Sequence, residues 1–309
     1  METLYLKSIE FLDEFVTNEI KEITKLKAEK IENTKYYKIN IEFDKIFEIT
    51  YKIINLSRTI EKIYLENNSL NIGEYNFLKD KIKIKNKEIN VYDLSSNILE
   101  NRNYLINHNS NTLNHNIINY CLFKLNLHKK KSNYSIIDLI ANNSEILLEA
   151  VTFNPKKPLY INDRYEMQIF KEFKKFNIKI PKFEIKKDKN KYISIVQSSN
   201  EFKKSKENLN KLGYKIKISK VDIEWIDLKH EEKSFDYIIS SFPIFKTKEA
   251  YERFLDEFLT QAKYLCKKQT CIISKEKLNE KLFKKYNFKL EFENEIKYDI
   301  ITYYIYILK

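Results

Sequence analysis

The chain has 309 residues, 43% hydrophobic and 14% aromatic, which fits two globular domains and excludes a disordered or fibrous protein. Its net charge of +12 points to an anionic partner, nucleic acid or a membrane surface, in a chain so lysine-rich and poor in glycine (2 residues) that an AT-rich coding sequence explains part of the excess. Cys121, Cys266 and Cys271 form no C-x-x-C pair, the four histidines lack zinc spacing and no apolar run reaches about 18 residues, so no disulfide framework, metal site or membrane span is expected and the location should be cytoplasmic.

Residues 3–7 read as a strand and 9–26 as a helix, with Phe11, Leu12, Phe15, Val16, Ile20 and Ile23 at helical spacing. Residues 28–43 alternate like a hairpin, 45–57 return to helical spacing, and 59–66 read as a strand. The order β-α-β-β-α-β predicts a split-βαβ, ferredoxin-like unit over residues 1–66. Polar residues 67–76 make a break, a second hairpin over 81–94 turns near Asn86-Lys87, and a linking helix at 111–126 runs into the lysines 129–131, the expected boundary. Beyond it, strands at 134–138, 192–196, 214–219, 235–241, 270–274 and near 288–306 alternate with helices at 144–152, 165–176, 200–212, 249–266 and 276–285. That alternation predicts an α/β fold over 132–309, a Rossmann-like, mostly parallel sheet closed by an antiparallel pair.

The charge is uneven. Residues 1–131 carry 21 basic and 18 acidic side chains, whereas residues 171–220 carry 16 lysines and 5 acids. One window therefore holds almost the whole excess. Lys186, Lys187, Lys189 and Lys191, in a segment that reads as loop, are the candidate phosphate contacts, with Arg102 as a further one.

Residues 136–150, IIDLIANNSEILLEA, have the outline of a cofactor-binding strand, turn and helix without a glycine. Glycine lets a ligand approach such a turn and the helix N-terminus offers free amides. Here Asn142 and Glu145 have capping-box spacing, so their side chains are expected to take those amides themselves.

Five segments, in order, resemble the archaeal THUMP-type transfer RNA guanine-N2 methyltransferases, which use S-adenosylmethionine (SAM). They are INLSRTIEK, beside a family stretch L-x-R-T-I-E; DLSSNILENRNY, similar to the D-T-T-G-x-x-L-x-K-R-G-Y that ends a THUMP domain; DLIANNSEILLEA, beside D-P-M-C-G-S-G-T-I-L-I-E-A; the stretch from Tyr192 to Ile226, beside I-I-G-I-E and G-D-A; and FDYIISSFPIF followed by AYERFLDEFL, beside D-x-x-x-S-N-L-P-Y-G and L-Y-x-x-F. The resemblance implies a ferredoxin-like unit over 1–66, a shortened THUMP remnant with a linking helix over 67–131, and a Rossmann-like class I methyltransferase domain over 132–309. It places Asp138, Asn142, Ser144, Val196 and Asp222 at cofactor positions, and Ser241 and Pro243 where the target base is held.

Asp138, Asp222 and Pro243 match the pattern, and at the other positions the chain departs from it. Asn142 and Ser144 stand at glycines, Leu139 at a proline, Ser194 at the glycine of the second motif, and Val196 at the acid that grips the cofactor ribose. A hydrogen bond to a charged group contributes about 1.5–3 kcal/mol, so Val196 alone weakens binding tenfold or more. Ser241 replaces the asparagine and Ile244 the aromatic ring of N-L-P-Y-G. The expected protein is thus an RNA-binding descendant, with tRNA as partner and weak or no methyl transfer. Two alternatives stay open: an active tRNA guanine-N2 methyltransferase with a rebuilt pocket, using SAM, and a non-catalytic structural subunit with a protein partner and no cofactor. Trp225, Tyr251 and Phe254 read as packing, and Asp236 as a strand-end residue.

Overall fold

Period-two alternation and amphipathic helices build the first sheet. In the computed structural model, which describes residues 1–9, 12–66, 78–95, 112–130, 133–153, 189–212, 216–298 and 300–309, β1 (Glu2–Ser8) lies between β3 (Tyr36–Ile41) and β4 (Ile60–Glu66), antiparallel to both. The short β2 (Glu29–Lys30) flanks β3. Helices α1 (Asp13–Thr24) and α2 (Ile46–Leu56) complete the β-α-β-β-α-β order. Helix α1 buries Phe15, Val16, Glu19, Ile20 and Ile23, one stripe at helical spacing. It ends at Lys25, whose left-handed backbone (φ 64°) lets its N–H reach Lys21 O.

The hairpin β5 (Leu78–Ile84) and β6 (Lys87–Asp93) turns on Lys85-Asn86, one residue earlier than expected, and joins the same sheet through β4. The strand order is β2-β3-β1-β4-β6-β5. Tyr5, Tyr36, Tyr64, Ile82, Ile84 and Val91 form one apolar cluster that spans all the longer strands. That shared face is why the hairpin extends the first sheet instead of standing in a middle segment.

The second sheet has the order β12-β13-β11-β10-β7-β8-β9. Strands β7 (Ser135–Asp138), β8 (Lys191–Val196), β9 (Lys217–Lys220), β10 (Phe235–Ser241) and β11 (Cys266–Ser274) are parallel, and β12 (Leu290–Tyr298) and β13 (Ile301–Leu308) close it as an antiparallel pair. Ile136, Ile137, Ile193, Ile195, Ile238, Ile239, Ile272 and Ile273 are all at most 1% exposed, the unbroken apolar runs of strands covered on both faces. Helices α4 (Glu145–Thr152), α5 (Ser199–Leu212), α6 (Lys248–Leu265) and α7 (Glu280–Lys285) follow β7, β8, β10 and β11. Helix α6 buries Leu255, Phe258, Leu259, Ala262 and Leu265, and Thr247 caps it by accepting from Ala250 N–H. The expected helix over 165–176 lies outside the described residues.

Helix α3 (His115–Lys124) is not a linker. Ile117, Ile118, Tyr120, Cys121 and Leu122 are all buried, and Asn119 Nδ2 donates to Glu149 of α4 at 2.9 Å. The chain divides into two compact units, Met1–Asn103 with Asn154–Lys186, and Tyr104–Phe153 with Lys187–Lys309. The sequence division at 66 and 131 therefore differs from the observed one at two points. The hairpin belongs with residues 1–66, and α3 belongs with the second unit, because its apolar residues point to more than one side and need a core around them.

Candidate functional site

From β7 the chain moves outward to β8 and β9, then crosses back to β10 and β11 on the other side. At such a reversal, connections leave in opposite directions and open a crevice beyond the strand ends, where ligands of open α/β sheets bind. A cleft of about 200 Å³ lies there, walled by Asp138 at the end of β7, Gln197 just after β8, Ser241 and Pro243 at the end of β10, and Lys275 just after β11. Small-molecule pockets usually measure about 300–1,000 Å³, so this one is tight.

Asp138 is 1% exposed. Its Oδ1 accepts from Ser240 Oγ at 2.8 Å and from Ile140 N–H at 3.1 Å. Burial pushes its carboxyl up to about 7, with a smaller push from Glu145, against the two hydrogen bonds. Ser240 Oγ in turn accepts from Leu139 N–H at 2.9 Å, so the strand end is locked across to β10.

The turn after Asp138 closes on itself. Ser144 sits at the N-cap of α4 in the left-handed region (φ 60°), a conformation glycine adopts without cost. Its hydroxyl meets the Ser194 hydroxyl of β8 at 2.6 Å, both residues being fully buried. The two serines that the resemblance sets at glycine positions therefore pair with each other. The expected capping box from Asn142 to Glu145 is corrected: α4 starts one residue later, at Glu145, and Ser144 makes no side-chain cap. Glu145 instead curls back, its carboxylate accepting from Asn143 N–H at 3.0 Å and from Leu113 N–H at 3.5 Å. Burial raises the Glu145 carboxyl, and these amides oppose the rise.

Val196 is fully buried and does not line the cleft. The side chain presented there is Gln197, whose Nε2 donates to Leu139 O at 3.4 Å. Beside it Glu201 accepts from Gln197 N–H at 3.0 Å and Ser198 N–H at 2.8 Å, while Ser198 Oγ accepts from Glu201 N–H at 3.2 Å. Gln197 and Glu201 were not singled out from the sequence, though Ser198-x-x-Glu201 at a strand end is a capping-box signal that could have found them.

Asp222 is exposed and outside the cleft wall, at the start of a 3-10 turn over Ile223–Trp225. Trp225 is 55% exposed, which corrects its reading as core. Ser241 and Pro243 do line the cleft together with Asp138, Asn142 and Glu145. Between Ser241 and Pro243, Phe242 turns inward against Phe254 and Phe258 (ring centroids 5.3 and 4.8 Å), and Ile244 is left 60% exposed. Tyr251 and Phe254 pack on Phe245, as their helical spacing predicts. Asp236 sits at the opposite end of β10, accepting from Ser135 and paired with Lys268 at 2.7 Å.

Of the expected phosphate contacts, Lys186, Lys187 and Arg102 lie outside the described residues. Lys189 is exposed. Lys191 is not on a loop: it opens β8, its N–H bonded to Tyr134 O and its ammonium 4.7 Å from the centre of the Phe235 ring. It therefore lies at the far end of the strand from the cleft. Among the described residues no three His, Cys, Asp or Glu side chains gather as a metal site, and no helix is long and apolar enough to cross a membrane.

A mixed seven-stranded sheet of this order, with its cleft at the reversal and an antiparallel closing pair, is the class I methyltransferase fold. The chain belongs to the UPF0020 family, whose RMKL-like methyltransferase domain matches residues 146–302. Solved structures of similar fold include a possible methylase from Clostridium difficile 630 (TM-score 0.73, 13% identity, 99% of this chain and 97% of that one). SMU.472 complexed with SAH is another (0.72, 11%, 99% and 97%). TrmN from Thermus thermophilus is a third (0.68, 12%, 100% and 99%). No curated protein matches in sequence.

Proposed function

We propose that this protein is an RNA-binding member of its methyltransferase family, with tRNA as partner and weak or no methyl transfer of its own. The carrying observation is Glu145, whose buried carboxylate occupies the Asn143 amide at the turn where a nucleotide-like cofactor would be received. The Ser144–Ser194 pair fills the space two glycines would leave, and buried Val196 offers no acceptor for ribose hydroxyls. The residues present do not fit SAM held in the family manner. The N-terminal β-α-β-β-α-β unit, with strand order β2-β3-β1-β4, supports a ferredoxin-like start to a shortened THUMP region, which fits an RNA partner. TrmN, whose fold the chain shares, and the net charge of +12 lean the same way.

A second reading, an active enzyme with a rebuilt pocket, is favoured by Gln197 and Glu201, which present an amide and a carboxylate to the cleft in place of the missing acid. Calorimetric titration with SAM separates the two. The expected result is no saturable heat in the micromolar range, and recovered binding in the variant combining Asn142→Gly, Ser144→Gly, Glu145→Thr, Ser194→Gly and Gln197→Glu, which sets the acid on the residue the cleft presents. Saturable micromolar binding by the unaltered protein transfers the conclusion to the active enzyme. In parallel, transfer RNA should bind with an affinity that falls steeply between about 50 and 200 mM salt, as release of condensed counterions requires.

A further inference from the structure

The two ends of the parallel strands carry opposite chemistry. Three carboxyl groups, Asp138, Glu145 and Glu201, and one ammonium, Lys275, line the cleft at the C-terminal ends. The N-terminal ends present Lys191 as the first residue of β8 and Lys217 as the first of β9, with Lys229 and His230, followed by the exposed Glu231 and Glu232, in the loop that leads to β10. Parallel pairing sets Lys217 level with Ile193, two residues along from Lys191, so Lys191 and Lys217 rise from the same face of the sheet.

Phe235 gathers this group. The His230 ring stands edge-on to it at 5.2 Å between centroids, and the Lys191 ammonium lies over it at 4.7 Å. Lys191, Lys217 and Lys229 are exposed, while the His230 Nε2 is buried without a hydrogen-bond partner. Burial and then the positive charge of Lys191, Lys217 and Lys229 hold His230 below the usual imidazole range. Further along the same edge two cations are already engaged, Lys268 with Asp236 and Lys233 with the Lys263 carbonyl.

We infer that Lys191, Lys217 and Lys229, set around the half-buried His230, form a phosphodiester-binding site for nucleic acid, on the sheet edge opposite the cleft. A six-residue strand separates the two places by about 17 Å, so RNA held here is held away from the acidic cleft, which repels phosphate. Lysine ammoniums on flexible stems suit backbone phosphates and give little base selectivity. The inference rests on the RNA-binding reading and adds where the RNA lies.

Fluorescence anisotropy with a labelled RNA hairpin tests it, using the full chain. The variant Lys191→Gln/Lys217→Gln/Lys229→Gln should bind about tenfold or more weakly, and the slope of log affinity against log salt should flatten by about 2–3, since each phosphate left without its lysine removes roughly 0.7–0.9 from that slope. A control of equal charge change on exposed lysines elsewhere, Lys277→Gln/Lys281→Gln/Lys284→Gln, should stay within about twofold of the parent. The three arginine replacements at the site should retain binding, which a folding defect would not allow. Equal weakening by both glutamine variants means diffuse charge and overturns the site. Parent-like binding by the site variant overturns it too and leaves RNA binding standing. No binding by the parent at low salt overturns both.

Discussion

At the scale of single residues, the cleft turn is held by a pair of buried serines. Ser144 adopts a left-handed backbone and its hydroxyl finds Ser194, fifty positions away, at 2.6 Å. Ser194→Ala should destabilise by about 1–3 kcal/mol, because it leaves a buried hydroxyl without a partner. Adding Ser144→Gly should recover most of that loss, since glycine removes the orphan and suits the backbone. Urea unfolding of the double-mutant cycle checks this, and simple additivity would refute it. Asp138 gives a pH signature. Its folded carboxyl titrates near 7 and the unfolded one near 4, so between those values the folded chain holds the extra proton and loses stability as pH rises. Asp138→Asn keeps the Oδ1 acceptor, so its stability relative to the parent should climb from about pH 4 to about pH 7, by roughly 1.4 kcal/mol per unit, and level off above. A difference that does not change with pH, measured by urea unfolding at several pH values, rules this out.

At the scale of elements, a buried carboxylate on α1 ties that helix to the joint between α2 and β4. Glu19 accepts from Ser57 Oγ at 2.7 Å, Arg58 N–H at 2.7 Å and Thr59 Oγ at 2.5 Å. The Arg58 guanidinium, 1% exposed, donates to Leu56 O at 3.0 Å. Burial outweighs these bonds and raises the Glu19 carboxyl. Removing one member of a buried charged network leaves the rest unpaired, so Glu19→Ala should cost about 3–5 kcal/mol in thermal or urea unfolding, and Glu19→Gln distinctly less. The stretch INLSRTIEK stands out in the sequence. Its role as a joint does not, because its acceptor is some 40 residues earlier on another helix. Cap signals divide in the same way: Thr247 caps α6 within its own segment, whereas the start of α4 depends on what Glu145 meets when buried.

At the scale of the whole molecule, each unit is assembled from pieces distant in sequence. Helix α3 is built into the second sheet's unit, with the Tyr120 hydroxyl accepting from Asn294 Nδ2 at 2.7 Å. A fragment of residues 132–309 should therefore aggregate or lack cooperative unfolding, while one of residues 112–309 should be markedly more soluble; comparing their yields and thermal melts by circular dichroism decides it. Among the described residues, strands β8 and β9 start at Lys191 and Lys217, whereas Asp138, Glu145 and Glu201 line the cleft at the C-terminal ends of the parallel strands.

Periodicity alone established the order of the described strands and helices, the antiparallel closing pair and the strand-end turn that forms the cleft, because these follow from local alternation and spacing. The altered positions in that turn were also legible, as residue types out of place in a ligand loop. What only the tertiary structure decided is how they are satisfied. Ser144 with Ser194, Glu145 with Asn143 and Leu113, and Gln197 as the residue presented after Val196 all depend on which side chains meet across the sheet. The same holds for the hairpin of residues 78–93, for α3 and for the cations around Phe235. Burial and pairing are properties of neighbours in space, and a sequence pattern fixes a residue's face without naming what lies opposite it.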